Sequence, residues 1–164
     1  MQMRPFIYSD DQGRTHSFWF HVETTSDSNG PTWEVRILPE NNYFSRIPPY
    51  EATFITLSDS RVQSSVLSKS REDWSLKVSL SEAIFCFMSR MIKKPIVSSL
   101  RPAPPGESER SDYADKMWRR FHTDGYARPV SKENRYLFIP DFCNSHTIID
   151  SSTLDVSTPN PNGR

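Results

Sequence analysis

The side chains best suited to chemistry in this 164-residue chain fall into four small groups. His16 and His21 share a predicted hairpin with Asp10 and Asp11, residue types that ligate metals. Side chains alternate along a strand, so the two imidazoles fall on opposite faces and no metal is expected. His122 with Asp124, and His146 with Asp150, have the composition of an acid–base pair, but neither has a nucleophile placed beside it. Cys143 and His146 join a thiol to a base within a polar tail, which lacks the usual setting of a reactive thiolate. The fourth group is larger. Lys116, Arg119, Arg120, Arg128, Lys132 and Arg135 interleave with Trp118, Phe121, Tyr126 and Tyr136 over residues 116–136. Cations for phosphates and rings for bases are what a single-stranded nucleic-acid site needs. Asp112, Asp115, Asp124 and Glu133 dilute that patch, and no glycine-rich phosphate loop accompanies it. No cofactor is expected.

The whole chain narrows the choice. Twenty Lys+Arg balance twenty Asp+Glu, which argues against a bulk electrostatic partner such as duplex DNA. The length fits one domain, expected over residues 1–150. Hydrophobic content of 35% and mean hydropathy of −0.63 imply a modest core, with part of the length outside it. Residues 151–164 have the composition of a disordered tail. Cys86 and Cys143 form no CxxC pair. Cys86 lies in an apolar helical pattern and reads as a buried free thiol, which points to a reducing compartment. The N-terminus has no apolar leader, and no apolar run is long enough to span a bilayer. The expectation is a soluble cytoplasmic or nuclear protein with no membrane contact.

The elements that would position these groups can be read from periodicity. Residues 6–23 pattern as a hairpin and 24–31 as a loop. Residues 32–38 alternate, with Trp33, Val35 and Ile37 on one face and Glu34 and Arg36 on the other. Pro39 closes that strand. Pro48-Pro49 stiffen the approach to a further strand over 51–57, which shows no strongly polar face and is expected to be central. Residues 58–73 are Ser-rich and read as a polar loop. Ser79 and Glu82 form a capping box ahead of an apolar stripe at Leu80, Ala83, Ile84, Phe87, Met88 and Met91. Arg90, Lys93 and Lys94 suit the helix dipole at its end, and Pro95 stops it. A Pro-rich connector over 95–106 leads to a second helix over 111–121, with Gly125 as terminator. Residues 136–139 form either a short strand or an apolar clip. The fold expected is α+β: an antiparallel meander of about four strands packed on a central amphipathic helix, with a second helix after it.

This order, with Pro39, Tyr43, Pro48, Pro49, Phe54, Thr56, Trp74-Ser75 and the Ser79 cap, resembles the ubiquitin-conjugating enzyme fold and its inactive variants. The resemblance covers roughly residues 32–121. It departs from the family at two places. The His-Pro-Asn tripeptide is replaced by Ser58-Asp59-Ser60, and the place of the nucleophilic cysteine reads Ser64, Ser65, Val66, Leu67. Thioester transfer needs a thiol, because a serine ester transfers poorly. The resemblance therefore implies a non-catalytic interaction module. Its partner would be a ubiquitin-like protein, a conjugating or ligase component, or a peptide motif. The surfaces implied are the loop at Ser64, Ser65, Val66 and Leu67, the post-Trp loop at Leu76 and Lys77, and the outer sheet face at Glu34 and Arg36. The alternative is nucleic-acid binding through Lys116, Trp118, Arg119, Arg120, Tyr126 and Arg128.

Overall fold

Strand-period alternation sets most of this architecture. The computed structural model describes residues 4–9, 13–39, 50–69 and 80–145. Its strands are β1 Arg4–Ser9, β2 Thr15–Asp27, β3 Gly30–Pro39, β4 Tyr50–Thr56, β5 Val62–Lys69, β6 Ile96–Ser98, β7 Ala127–Pro129 and β8 Tyr136–Phe138. Helix α1 is Leu80–Ile92, α2 is Asp112–Thr123, and a 3-10 helix, η1, spans Pro140–Ser145. All eight strands form one sheet in the order β1-β2-β3-β4-β5-β6-β8-β7. The fold is α+β, as expected. The antiparallel meander has five strands, β1 to β5, and three short strands extend it. Helix α1 carries the chain across to β6, which joins β5 in parallel. A parallel neighbour requires such a crossover.

Two expected loops are strands. Residues 24–31 complete the β2–β3 hairpin, with Asp27 opposite Gly30 and the Asp27 carboxylate accepting from Asn29 N–H at 2.8 Å. Gly30 has φ of 130°, and a Cβ there would lie 3.2 Å from the Thr56 methyl carbon, so a side chain is doubly disfavoured. The Ser-rich segment after Ser60 forms β5. Its propensity is low, but β4 and β6 flank it and supply its ladder bonds. Tertiary pairing overrides local preference in such a strand. Val62 and Ser64 are buried, and the Ser99 hydroxyl donates to the Ser64 carbonyl at 2.8 Å.

The core lies between the sheet and α1. In β4, Tyr50, Ala52, Phe54 and Thr56 point inward with strict alternation, which fits a central strand. Helix α1 is more buried than a single apolar stripe requires: of its 13 residues, only Ser89 and Arg90 escape burial. One side meets the sheet, with Phe87 against Phe20 at 5.3 Å. Phe85 meets Phe54, Trp118 and Phe121 edge-on at 5.1–5.4 Å. Such pairs add about 0.5–1.5 kcal/mol each beyond area burial. Helix α2 starts at the Ser111 cap, whose hydroxyl accepts from Ala114 N–H at 3.1 Å.

The cysteines overturn one expectation. Cys86 and Cys143 are joined in a disulfide that ties α1 to η1, so neither is a free thiol. Cys86 reads as an isolated buried cysteine and Cys143 as a lone cysteine in a polar tail; only the return of the chain at η1 brings them together. With no free thiol, the cysteines do not point to a reducing compartment. No helix among the described residues is long and apolar enough to cross a membrane.

Candidate functional site

Both helices attach to one face of the sheet, α1 through Phe87 on Phe20 and α2 through Asp115, whose partner Arg110 bonds Ser98. The opposite face carries the charged positions of β3 and β4. Register sets Arg36 opposite Glu51 and Glu34 opposite Thr53. Arg36 Nε lies 3.2 Å from Glu51 Oε1, and its terminal nitrogen 3.9 Å from Glu34 Oε2. Glu34, Arg36, Glu51 and Thr53 line a concavity of about 250 Å³. His21 stands opposite Arg36 on β2. Burial holds the His21 imidazole below its ordinary pKa, Glu23 opposes that shift, and Arg36 reinforces it. Two of the residues predicted for partner binding, Glu34 and Arg36, are thus brought into one charged row, and Glu51 completes it.

The other predicted partner-binding residues do not join this row. Ser64, Ser65, Val66 and Leu67 are on a strand, not a loop. Ser64 is 2% exposed and faces the core, so it offers nothing to a partner. Thr53 pairs with Val66 and Phe54 with Ser64, which leaves Ser65 as the extra residue of a bulge. Leu67 pairs with Ala52. Leu76 and Lys77, like Pro48-Pro49, Trp74-Ser75 and Ser79, lie outside the described residues.

The nucleic-acid reading loses its rings. Trp118 is fully buried and stacks on Tyr136 at 6.2 Å, Phe121 is fully buried, and Tyr126 is 8% exposed. Their spacing follows the core-facing side of α2 and β8, not a solvent-facing row. Arg119 pairs with Asp115 at 2.9 Å and Arg120 with Glu82 at 2.8 Å. Lys116, Arg128 and Lys132 remain exposed. Exposed cations without an exposed ring do not make a stacking platform.

Three further clusters were not anticipated. Arg110, only 6% exposed, pairs with Asp115, donates to Ser98 Oγ at 3.0 Å and to the Ser99 carbonyl, and lies over the Tyr136 ring. It binds β6, α2 and β8 together. Arg61 clamps Glu133 with two hydrogen bonds and also holds Asp59, joining the β4–β5 and β7–β8 turns. Those hydrogen bonds hold both carboxyls below their ordinary pKa. Glu82 reaches across to Arg120 with one oxygen, its other oxygen has no hydrogen-bond partner, and the Ser81 hydroxyl lies beside the Tyr50 and Tyr113 phenols. Burial raises the pKa of Tyr50, and of Tyr113 nearby.

At the end of α1 a groove of about 450 Å³ opens between Ser89, Arg90, Lys93 and Lys94 on one side and Leu137, Phe138 and Pro140 on the other. The sequence signal is the cation run itself, which also suits the dipole at the end of α1. No group of three or more His, Cys, Asp or Glu among the described residues is placed to hold a metal. Compared with known protein families, with curated proteins and with solved structures, the chain matches none.

Proposed function

We propose that this chain is a non-catalytic protein-interaction module that docks its partner on the outer sheet face. The observation that carries the reading is the Glu34–Arg36–Glu51 row. It is partly exposed, lies in a concavity, and sits on the sheet face opposite the helices. Paired charges of this kind set register and partner choice more than raw affinity. Both cysteines are occupied in the disulfide, which supports a role without thioester chemistry. The resemblance of the element order supplies the partner class: a ubiquitin-like protein, or a conjugating or ligase component.

The test is an NMR titration of the labelled chain with ubiquitin-like proteins and with conjugating enzymes. Shifts should concentrate at Glu34, Arg36, Glu51 and Thr53. Arg36→Glu should weaken the complex about tenfold or more, since like charges would then line the row. A flat response to every such protein would remove this partner class.

A further inference from the structure

The groove at the end of α1 lies apart from that row and has a different chemistry. Its floor is apolar, formed by Pro95, Ile96, Leu137, Phe138 and Pro140. Its rim carries Arg90, Lys93 and Lys94, and no carboxylate lines it. Among the described residues none of these three cations has an ion-pair partner. The helix C-terminus offsets roughly half a unit of charge, which leaves most of the positive field unbalanced. That concentration stands out in a chain of zero formal net charge.

Lys93 adds a second observation. It follows the last residue of α1 with φ of 58°, and its N–H donates to the Ser89 carbonyl at 2.9 Å. Glycine closes helices in this left-handed conformation with the least strain. Lysine at this position costs stability and adds a cation to the rim.

We propose that this groove binds an acidic, apolar peptide segment of a partner protein. The floor volume lies within the range of about 300–1,000 Å³ found for small-molecule sites, enough to take bulky apolar side chains. The cations run from the last turn of α1 into the residues that follow it. A single carboxylate meets one or two of them, whereas successive carboxylates along a peptide meet all three. A peptide also places apolar side chains between those carboxylates, where the floor receives them.

The probe is a fluorescein-labelled peptide in which aspartates flank leucine and phenylalanine, titrated against the full chain. The controls are the same peptide with lysines for aspartates, and vesicles of phosphatidylserine and phosphatidylcholine. The acidic peptide should bind saturably, weaken as salt rises, and shift the NMR signals of Ile96, Leu137 and Phe138. Shifts confined to Glu34 and Arg36 would assign it to the outer face and overturn the groove. Arg90→Glu with Lys94→Glu should lower affinity about tenfold. Lys93→Gly should also weaken binding while the melting temperature holds or rises. Equal binding of the lysine peptide, indifference to these substitutions, binding to vesicles alone, or no binding at all would each overturn the proposal.

Discussion

The outer sheet face and the groove at the end of α1 both gather cationic side chains, but they dispose of the charge differently. On the sheet, Arg36 lies between Glu34 and Glu51, so the one cation is matched in place and a net negative charge is left over. At the groove, Arg90, Lys93 and Lys94 face an apolar floor without a lining carboxylate. The first arrangement has no unpaired cation and depends on close geometric fit. The second attracts anions from a distance and is sensitive to salt. Their supports differ as well. Ladder register alone places the sheet row, with Arg36 on one strand and Glu51 on the next. The groove needs α1, β6, β8 and η1 to meet. They are held by the Cys86–Cys143 bond and by the buried Arg110–Asp115 pair nearby.

That contrast is sharpest in two arginine–carboxylate pairs. Arg110 and Asp115 are 5% and 9% exposed, whereas Arg36 and Glu51 are 36% and 38% exposed. Asp115→Ala leaves a buried guanidinium without its carboxylate, at a cost of about 3–5 kcal/mol. Glu51→Ala should cost no more than about 1 kcal/mol, because water screens the exposed pair. Urea unfolding of both variants measures the difference. Similar losses would mean that the two regions are not held by different means.

The disulfide comes next in size. It closes a loop of 57 residues, and its removal should cost about 4 kcal/mol by the loop-entropy argument, provided the thiol-free chain keeps its native packing. Cys86→Ser with Cys143→Ser frees η1 from α1, so acidic-peptide binding at the groove should drop. Partner shifts at Glu34 and Arg36 should persist wherever the variant remains folded. Loss of both together would show that the two surfaces share one support.

The same division decides what could be read in the sequence. Alternation at Trp33, Val35 and Ile37 makes β3 legible, and it places Glu34 and Arg36 on the outer face. The stripe from Leu80 to Met91 makes α1 legible, though not its burial on nearly every side. Helix α2 announces itself through Asp112 and its aromatic run, yet that run also imitates a nucleic-acid platform. Composition cannot tell rings that pack inward from rings that face out. Strand β5 was not legible, because serines carry no strand signal and β4 and β6 hold it from either side. Strand β6 has three residues and meets β8 through a single pair, Val97 with Leu137. No periodicity is detectable over that length. The disulfide and the groove join residues near 86–96 to residues near 137–143, a long-range closure that local pattern does not encode. Glu51 lay outside the predicted site for the same reason: its place opposite Arg36 depends on strand register.

The smallest expected effect tests whether the sheet row senses acid. Burial lowers the pKa of His21 in the folded chain from its ordinary value of 6.5, with Glu23 acting against the shift and Arg36 with it. The unfolded chain therefore takes up a proton that the folded chain resists. Above pH 6.5 the imidazole is neutral in both states, and its contribution to stability is intact. As pH falls through 6.5 toward the folded value, protons favour the unfolded state and that contribution is lost. Thermal melts of the native chain and of His21→Gln, taken between neutral and mildly acidic pH, isolate this group from carboxylates that titrate lower. The native chain should lose more stability than the variant across that window. Partner binding at the neighbouring Arg36 should change over the same range, since a protonated imidazole opposite Arg36 alters the net charge of the row. Parallel pH profiles for the native chain and the variant would leave His21 with a packing role only. Peptide binding at the groove, which has no histidine in its lining, should stay level throughout.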